Sequence, residues 1–73
     1  TTTSLVRMAP GSTIEKHLHS ALEECFVLEG DFRVNGERLL AGDYHCALPG
    51  SIHEKAVTSE GTLLLVITST NQH

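Results

Sequence analysis

Tryptophan is absent from the 73 residues, and the aromatic side chains are Phe26, Phe32 and Tyr44. A site that stacks a large ring has little to be built from, so any ligand is expected to be small. Cations are scarce too: five Lys and Arg, scattered, against nine Asp and Glu, for a formal charge of −4. Neutralising a phosphate backbone needs clustered Lys and Arg, which excludes nucleic acid as a partner. No apolar run approaches the roughly 18 residues of a membrane span, and no signal-peptide pattern opens the chain. A cytoplasmic protein without membrane contact is expected. The chain begins at Thr1 rather than Met, which leaves its natural N-terminus open. Cysteine is limited to Cys25 and Cys46, at a spacing that matches no zinc finger. A disulfide would need the two on neighbouring strands; two buried free thiols are the expectation. A sustained helical period with caps is also lacking. Ile14, Leu18 and Leu22 recur every four residues, yet a helix there would turn His17 and His19 about 200° apart.

What the chain has is turns. Pro10-Gly11, Asn35-Gly36, Gly42-Asp43, Pro49-Gly50 and Gly61 divide it into short runs. Residues 1–4 read as a fraying end or a strand borrowed from elsewhere. Strands are expected over 5–8, 13–19, 25–34, 37–40, 44–48, 52–58 and 62–69. Asn35-Gly36, between Val34 and Glu37, predicts a two-residue type I′ hairpin. About seven short strands make an all-β barrel or jelly roll, one domain over residues 1–73. So short a chain buries only roughly 60% of the surface its unfolded form exposes, and it needs help from a staple, a metal or a partner chain. Residues 25–34 are apolar at both parities. Glu23, Cys25 and Val27 share one face; Phe26, Leu28 and Phe32 share the other. The second face lacks a cover within the chain, and a second copy is expected to supply it as a homodimer.

The chain is organised around residues 11–30. They run Gly11, five residues, His17, Leu18, His19, three residues, Glu23, six residues, Gly30. Two histidines one residue apart on a strand point to the same side. Glu23 lies near enough to swing in beside them, and His53 follows at the end of the Pro49-Gly50-Ser51 break. Neutral imidazole and carboxylate are the usual nitrogen and oxygen ligands of divalent transition metals. The expectation is one ion, Zn, Fe, Mn or Ni, held by His17, His19, Glu23 and His53; scattered surface histidines are the plainer alternative. Cys25, Val27, Leu65 and Ile67 are expected to line the space beside the ion. Of His45 and Cys46 only one can face that space, and His45 is read as facing solvent. Tyr44 is read as packing, Glu24 as an outward charge, and Arg33 and Arg38 as solvated. Nothing is assigned to His73.

The quoted residues resemble the cupin family. Its first motif, G-x5-H-x-H-x(3 or 4)-E-x6-G, is matched by Gly11, His17, His19, Glu23 and Gly30 without a gap. Of its second, G-x5-P-x-G-x2-H-x3-N, Gly42, Gly50 and His53 match in spacing. Leu48 stands in the proline position with Pro49 one place later, and Val57 replaces the final Asn. These departures fall on turn and packing positions. Within the family, the spacing and Leu48-Pro49-Gly50-Ser51-Ile52-His53 look most like the ChrR-type subgroup. The resemblance implies a double-stranded β-helix, His17, His19, Glu23 and His53 as ligands, and commonly a homodimer. The subgroup includes zinc-binding domains of anti-sigma factors and dioxygenase-like proteins. The anti-sigma members carry a helical zinc domain in front, of which these 73 residues show nothing, so that role is not expected of this chain alone. Three functions follow from one donor set: an Fe(II) dioxygenase acting on a small carbonyl or diketone, a ligand-binding sensor module without turnover, or a structural zinc domain.

Overall fold

The computed structural model describes residues 1–69, apart from the side chain of His17. The described residues form nine β-strands and no helix. The strands are β1 (Thr2–Met8), β2 (Thr13–Ile14), β3 (His17–Leu18), β4 (Glu23–Val34), β5 (Glu37–Leu40), β6 (Tyr44–Ala47), β7 (Ile52–His53), β8 (Ala56–Val57) and β9 (Thr62–Thr68). All pair antiparallel. The architecture is the expected all-β jelly roll, a double-stranded β-helix.

The twelve-residue strand β4 is shared by two sheets. Its first half pairs with β6 on one edge and β9 on the other, and β1 extends the sheet beyond β9. Its second half pairs with β5 and touches β8, which carries β2. Strands β3 and β7 form a separate two-stranded ladder. The β4–β5 connection is the predicted hairpin: Val34 pairs with Glu37, and Asn35 and Gly36 take φ of 50° and 77°, as a type I′ turn demands.

Three sequence expectations are corrected here. Residues 2–4 are not a fraying end; they pair with residues 66–68 as the start of β1. The run 13–19 is split into β2 and β3, and the run 52–58 into β7 and β8, because each half pairs with a different partner. The parity of β4 also reverses partway along. The register against β9 shifts between Val27 and Glu29. A bulge inserts one residue, so every side chain beyond it changes face. Cys25 and Val27 before the bulge and Phe32 and Val34 after it are all buried in one core, with Met8, Leu39, Ala56 and Leu64. Phe32 therefore lies inside with Cys25, not outside with Phe26.

The bend is completed at Gly30. Its φ is +80°, and a Cβ there would run into the carbonyl oxygen of Gly61. The next residue, Asp31, fixes the crossing. Its N–H donates to the Gly61 carbonyl, and its buried carboxylate accepts the N–H groups of Ser59 (3.1 Å) and Glu60 (2.9 Å). The backbone N–H groups of Glu60 and then Ser59 hold this carboxyl below the usual carboxylate range. Thr58 Oγ1 donates to the Asp31 carbonyl at 2.6 Å and accepts the N–H of Gly61.

Gly30→Ala should cost more than about 3 kcal/mol, because a left-handed alanine costs roughly 1–2 kcal/mol and the backbone of the 58–61 turn must also move. Gly36→Ala, whose Cβ meets open space, should cost only about 1 kcal/mol. Urea unfolding of the two variants checks this, and equal losses would contradict it.

Candidate metal centre

The donors are brought together by a backbone stitch. His17 pairs with His53 and Leu18 with Ile52 across β3 and β7. Beyond the ladder, the N–H of His19 donates to the Ser51 carbonyl (2.9 Å) and that of Gly50 to the His19 carbonyl (2.8 Å). The intervening turn is closed by Ser51, whose N–H and hydroxyl both donate to the Leu48 carbonyl. Gly50 takes a φ of +86° within it. The two histidine segments thus reach the site as one unit, and Glu23 meets them from the first residue of β4.

His19 and His53 are buried and stack edge to face, with ring centroids 3.9 Å apart. His19 Nδ1 lies 3.8 Å from Glu23 Oε2. One donor atom each from His19, Glu23 and His53 all fall within 4.8 Å of one another. Two imidazoles and a carboxylate gathered in a buried corner are a donor set suited to a divalent transition metal, so these residues fit such an ion. The side chain of His17 lies outside the described residues; its backbone stands directly opposite His53. His73 is also outside them. Glu24 faces outward as expected and accepts the Tyr44 hydroxyl at 2.8 Å. That bond, and then Cys46 beside it, push the phenol above its ordinary value. Tyr44 packs obliquely on Phe26, 4.8 Å between centroids, outside the site.

A cavity of about 220 Å³ opens beside the donors, lined chiefly by Val6, Ile14, Phe32, Leu64 and Val66 with Cys25 and His45. The expected lining of Leu65 and Ile67 is off by one residue. The register of β9 on β4 sets Val66 opposite Cys25 and Leu64 opposite Val27, so these face inward. Apolarity at both parities of β9 hid that choice. A larger and more open hollow of about 560 Å³, between residues 8–10 and 60–62, contains none of the donors.

His45 is the residue that sequence reasoning misplaced. Strand β6 pairs with β4 so that His45 stands opposite Cys25 and Cys46 opposite Glu24. Directly paired residues share a face, so His45 turns inward and Cys46 outward. The signal was the Ala41-Gly42-Asp43 turn, whose geometry sets that register: Gly42 N–H donates to the Val27 carbonyl and Val27 N–H to the Asp43 carbonyl. His45 Nε2 lies 3.3 Å from His53 Nε2. Both thiols are free, but only Cys25 is buried. Burial, and then the Glu23 carboxylate, push its thiol up to about 11.

An antiparallel β-roll with two histidines and a glutamate converging at the mouth of its cavity defines a cupin. The model of the ChrR cupin-like domain matches residues 1–72, and the chain belongs to that family. A chain of the complex of Rhodobacter sphaeroides SigE with the anti-sigma ChrR superposes with a TM-score of 0.83 at 29% identity, covering 92% of this chain and 38% of that one. An RmlC-like cupin from Shewanella frigidimarina gives 0.79 at 27% identity, over 97% of this chain and 68% of that one. An acetylacetone dioxygenase from Acinetobacter johnsonii gives 0.80 at 21% identity, over 88% and 47%. This chain therefore spans less than half the length of two of these three. No curated protein matches it. Among the described residues no helix is long and apolar enough to cross a membrane.

The thiols should separate cleanly under a disulfide reagent in native buffer. Cys46 should react at once and Cys25 only on unfolding, so Cys46→Ser should leave no fast thiol. Two fast thiols in the folded protein would contradict the placement of Cys25.

Proposed function

We propose that this domain is a small-molecule-binding metal cupin, with one divalent ion held by His17, His19, Glu23 and His53. The observation that carries the reading is the coincidence of the His19–Glu23–His53 cluster with an apolar cavity. A purely structural zinc site has no need of such a cavity. Within this reading the favoured activity is dioxygenase-like oxidation of a small carbonyl or diketone compound. Iron(II) at the site would supply Lewis-acid polarisation of a carbonyl and redox capacity.

The chain's own residues account for the rest. Glu23 brings a negative charge that offsets part of the ion's. The stitched β3–β7 pair fixes the histidines before anything binds, which limits the reorganisation needed on loading. Val6, Ile14, Phe32, Leu64 and Val66 exclude water and accept only a compact ligand. At about 220 Å³ the space lies below the roughly 300–1,000 Å³ of sites for drug-sized molecules.

A second reading is an effector-binding module without turnover. Its support is the 29% identity to a chain of the anti-sigma complex. Oxygen uptake by Fe(II)-loaded protein with a simple 1,3-diketone supports the dioxygenase. Binding of the diketone without uptake supports the module, and neither supports a structural zinc domain. His19→Ala, Glu23→Ala and His53→Ala should each weaken cobalt(II) binding by more than about a hundredfold, beyond the cost of losing an outer partner. Glu24→Ala should leave it unchanged.

We further propose a cytoplasmic homodimer of single-domain chains. The outer face of the larger sheet carries a cross-strand row of Leu5, Leu65, Phe26 and Tyr44, with Leu5 66% and Tyr44 46% exposed. Light scattering at micromolar concentration should give twice the chain mass; a stable monomer removes this part of the proposal.

A further inference from the structure

Strands β7 and β8 follow one another in the chain, but Glu54 and Lys55 between them belong to neither. The ladder with β3 stops at His53, and the pairing of β8 with β2 begins at Ala56. The backbone just past a histidine of the donor cluster is therefore outside these ladders. A side chain reaches it there: the N–H of Glu54 donates to Asn35 Oδ1 at 2.8 Å. Asn35 sits at the tip of the β4–β5 hairpin, brought close because Arg33 pairs with Val57 where β4 meets β8. Its side chain carries on, by one bond, a contact that the ladder gives up. The carboxylate of Glu54 makes a second tie, to Lys16 Nζ at 3.7 Å, but both groups are well exposed and such a pair is worth little. The bond to Asn35 joins two neutral groups and does not weaken with salt in that way.

Asparagine at this position has an ordinary explanation. Among the described residues Asn35 is the one other than glycine with a positive φ, 50°, and asparagine is favoured in a type I′ turn. The turn would also be served by glycine, which cannot reach Glu54. The hydrogen bond is the part that the turn does not require. An ion binds tightly where its donors are ordered beforehand, since ordering them on loading subtracts from the affinity. Glu23 opens β4, and the hairpin that closes β4 holds the segment beside His53. We infer that Asn35 is a positioning residue of the metal centre, its Oδ1 fixing the backbone beside His53 relative to β4 before an ion arrives. This rests on the metal reading of the same site and adds to it a residue, outside the donor set, on which its affinity depends.

Two substitutions separate the turn from the bond. Asn35→Gly keeps the left-handed backbone and removes Oδ1. Asn35→Asp keeps both, and high salt, used for every sample, screens the charge it adds. Cobalt(II) is titrated into each protein at one pH and followed by its visible absorption, so no turnover is needed. Exchange of the Glu54 amide hydrogen is measured in the metal-free proteins. Asn35→Gly should bind cobalt about fivefold more weakly than wild type, the worth of one hydrogen bond, and should exchange the Glu54 hydrogen faster. Asn35→Asp should recover both properties. A residue that served only the turn would leave the three proteins alike, so equal cobalt affinity in wild type and Asn35→Gly overturns the inference. Asn35→Asp as weak as Asn35→Gly also overturns it, since the acceptor would then not be what matters. So does a weakened Asn35→Gly whose Glu54 hydrogen exchanges at the wild-type rate. A wild-type protein that takes up no cobalt refutes the metal reading itself, and this inference with it.

Discussion

Close backbone approach at Gly30 and Gly61 is the constraint on which the structure depends. It allows β4 to leave one sheet and enter the other without a break in the chain. A side chain at residue 30 would fill the space occupied by the Gly61 carbonyl. The bulge beside Leu28 and the left-handed Gly30 act in sequence: the first reverses parity and the second turns the strand. The buried network of Asp31 and Thr58 then locks the 58–61 turn onto the bend. Because β4 serves both sheets, Glu23 at one end and Phe32 near the other belong to one interior. The carboxylate of the candidate metal centre and an apolar wall of the cavity beside it are therefore positioned by a single strand.

Much of this was legible in the sequence. Strand identity followed from Gly and Pro punctuation, and the hairpin at Asn35-Gly36 from turn chemistry. The approach of His19, Glu23 and His53 to one another is in keeping with their spacing, and Glu24 faces away from them. The misreadings share a physical origin. Period-2 reasoning carries a face along a strand only while the register holds, and nothing in Val27-Leu28-Glu29 announces a bulge. Period 2 alone therefore sets Phe32 beside Phe26, on the wrong side. A strand apolar at both parities leaves the choice between Leu65 with Ile67 and Leu64 with Val66 to its neighbour's register. His45 was misplaced for the complementary reason. A histidine beside a cysteine invites burial of the cysteine, but pairing with β4 decides, and it sets His45 against Cys25.

The placement of His45 alters the character of the cavity. With Cys46 inside, the chamber beside the donors would have been almost wholly apolar, suited to a ligand with no polar group beyond the one at the ion. With His45 inside, its Nε2 3.3 Å from that of His53, the donor cluster gains a further imidazole beside it, and the remaining lining is mostly apolar. Polar groups gathered beside the donors, in an otherwise apolar chamber, favour a short ligand with its oxygens at one end and carbon at the other. Such a pocket discriminates by the cost of unpaired groups rather than by area, and that kind of discrimination is steep for small molecules.

The ladder of β3 and β7 connects the site to stability. It is two residues long on each strand and lies apart from the seven-stranded sheet in its hydrogen bonding. Two-stranded ladders are marginal in water, and this one presents Leu18 and Ile52 to solvent. It nevertheless has to hold two buried imidazoles in place. An ion shared by His19 and His53 of this unit and Glu23 of β4 would tie the ladder to the larger sheet through bonds much stronger than the contacts otherwise available. Because the unfolded chain has no preformed site, binding free energy would appear directly as folding free energy. For a chain of this length, which cannot bury enough surface to be generous with stability, the ion would serve as a structural clamp even where it also serves as the seat of a ligand. The choice between structural and reactive metal is then not exclusive. The same donors would close the fold, and the cavity beside them, with His45 next to His53, would determine whether anything further happens there.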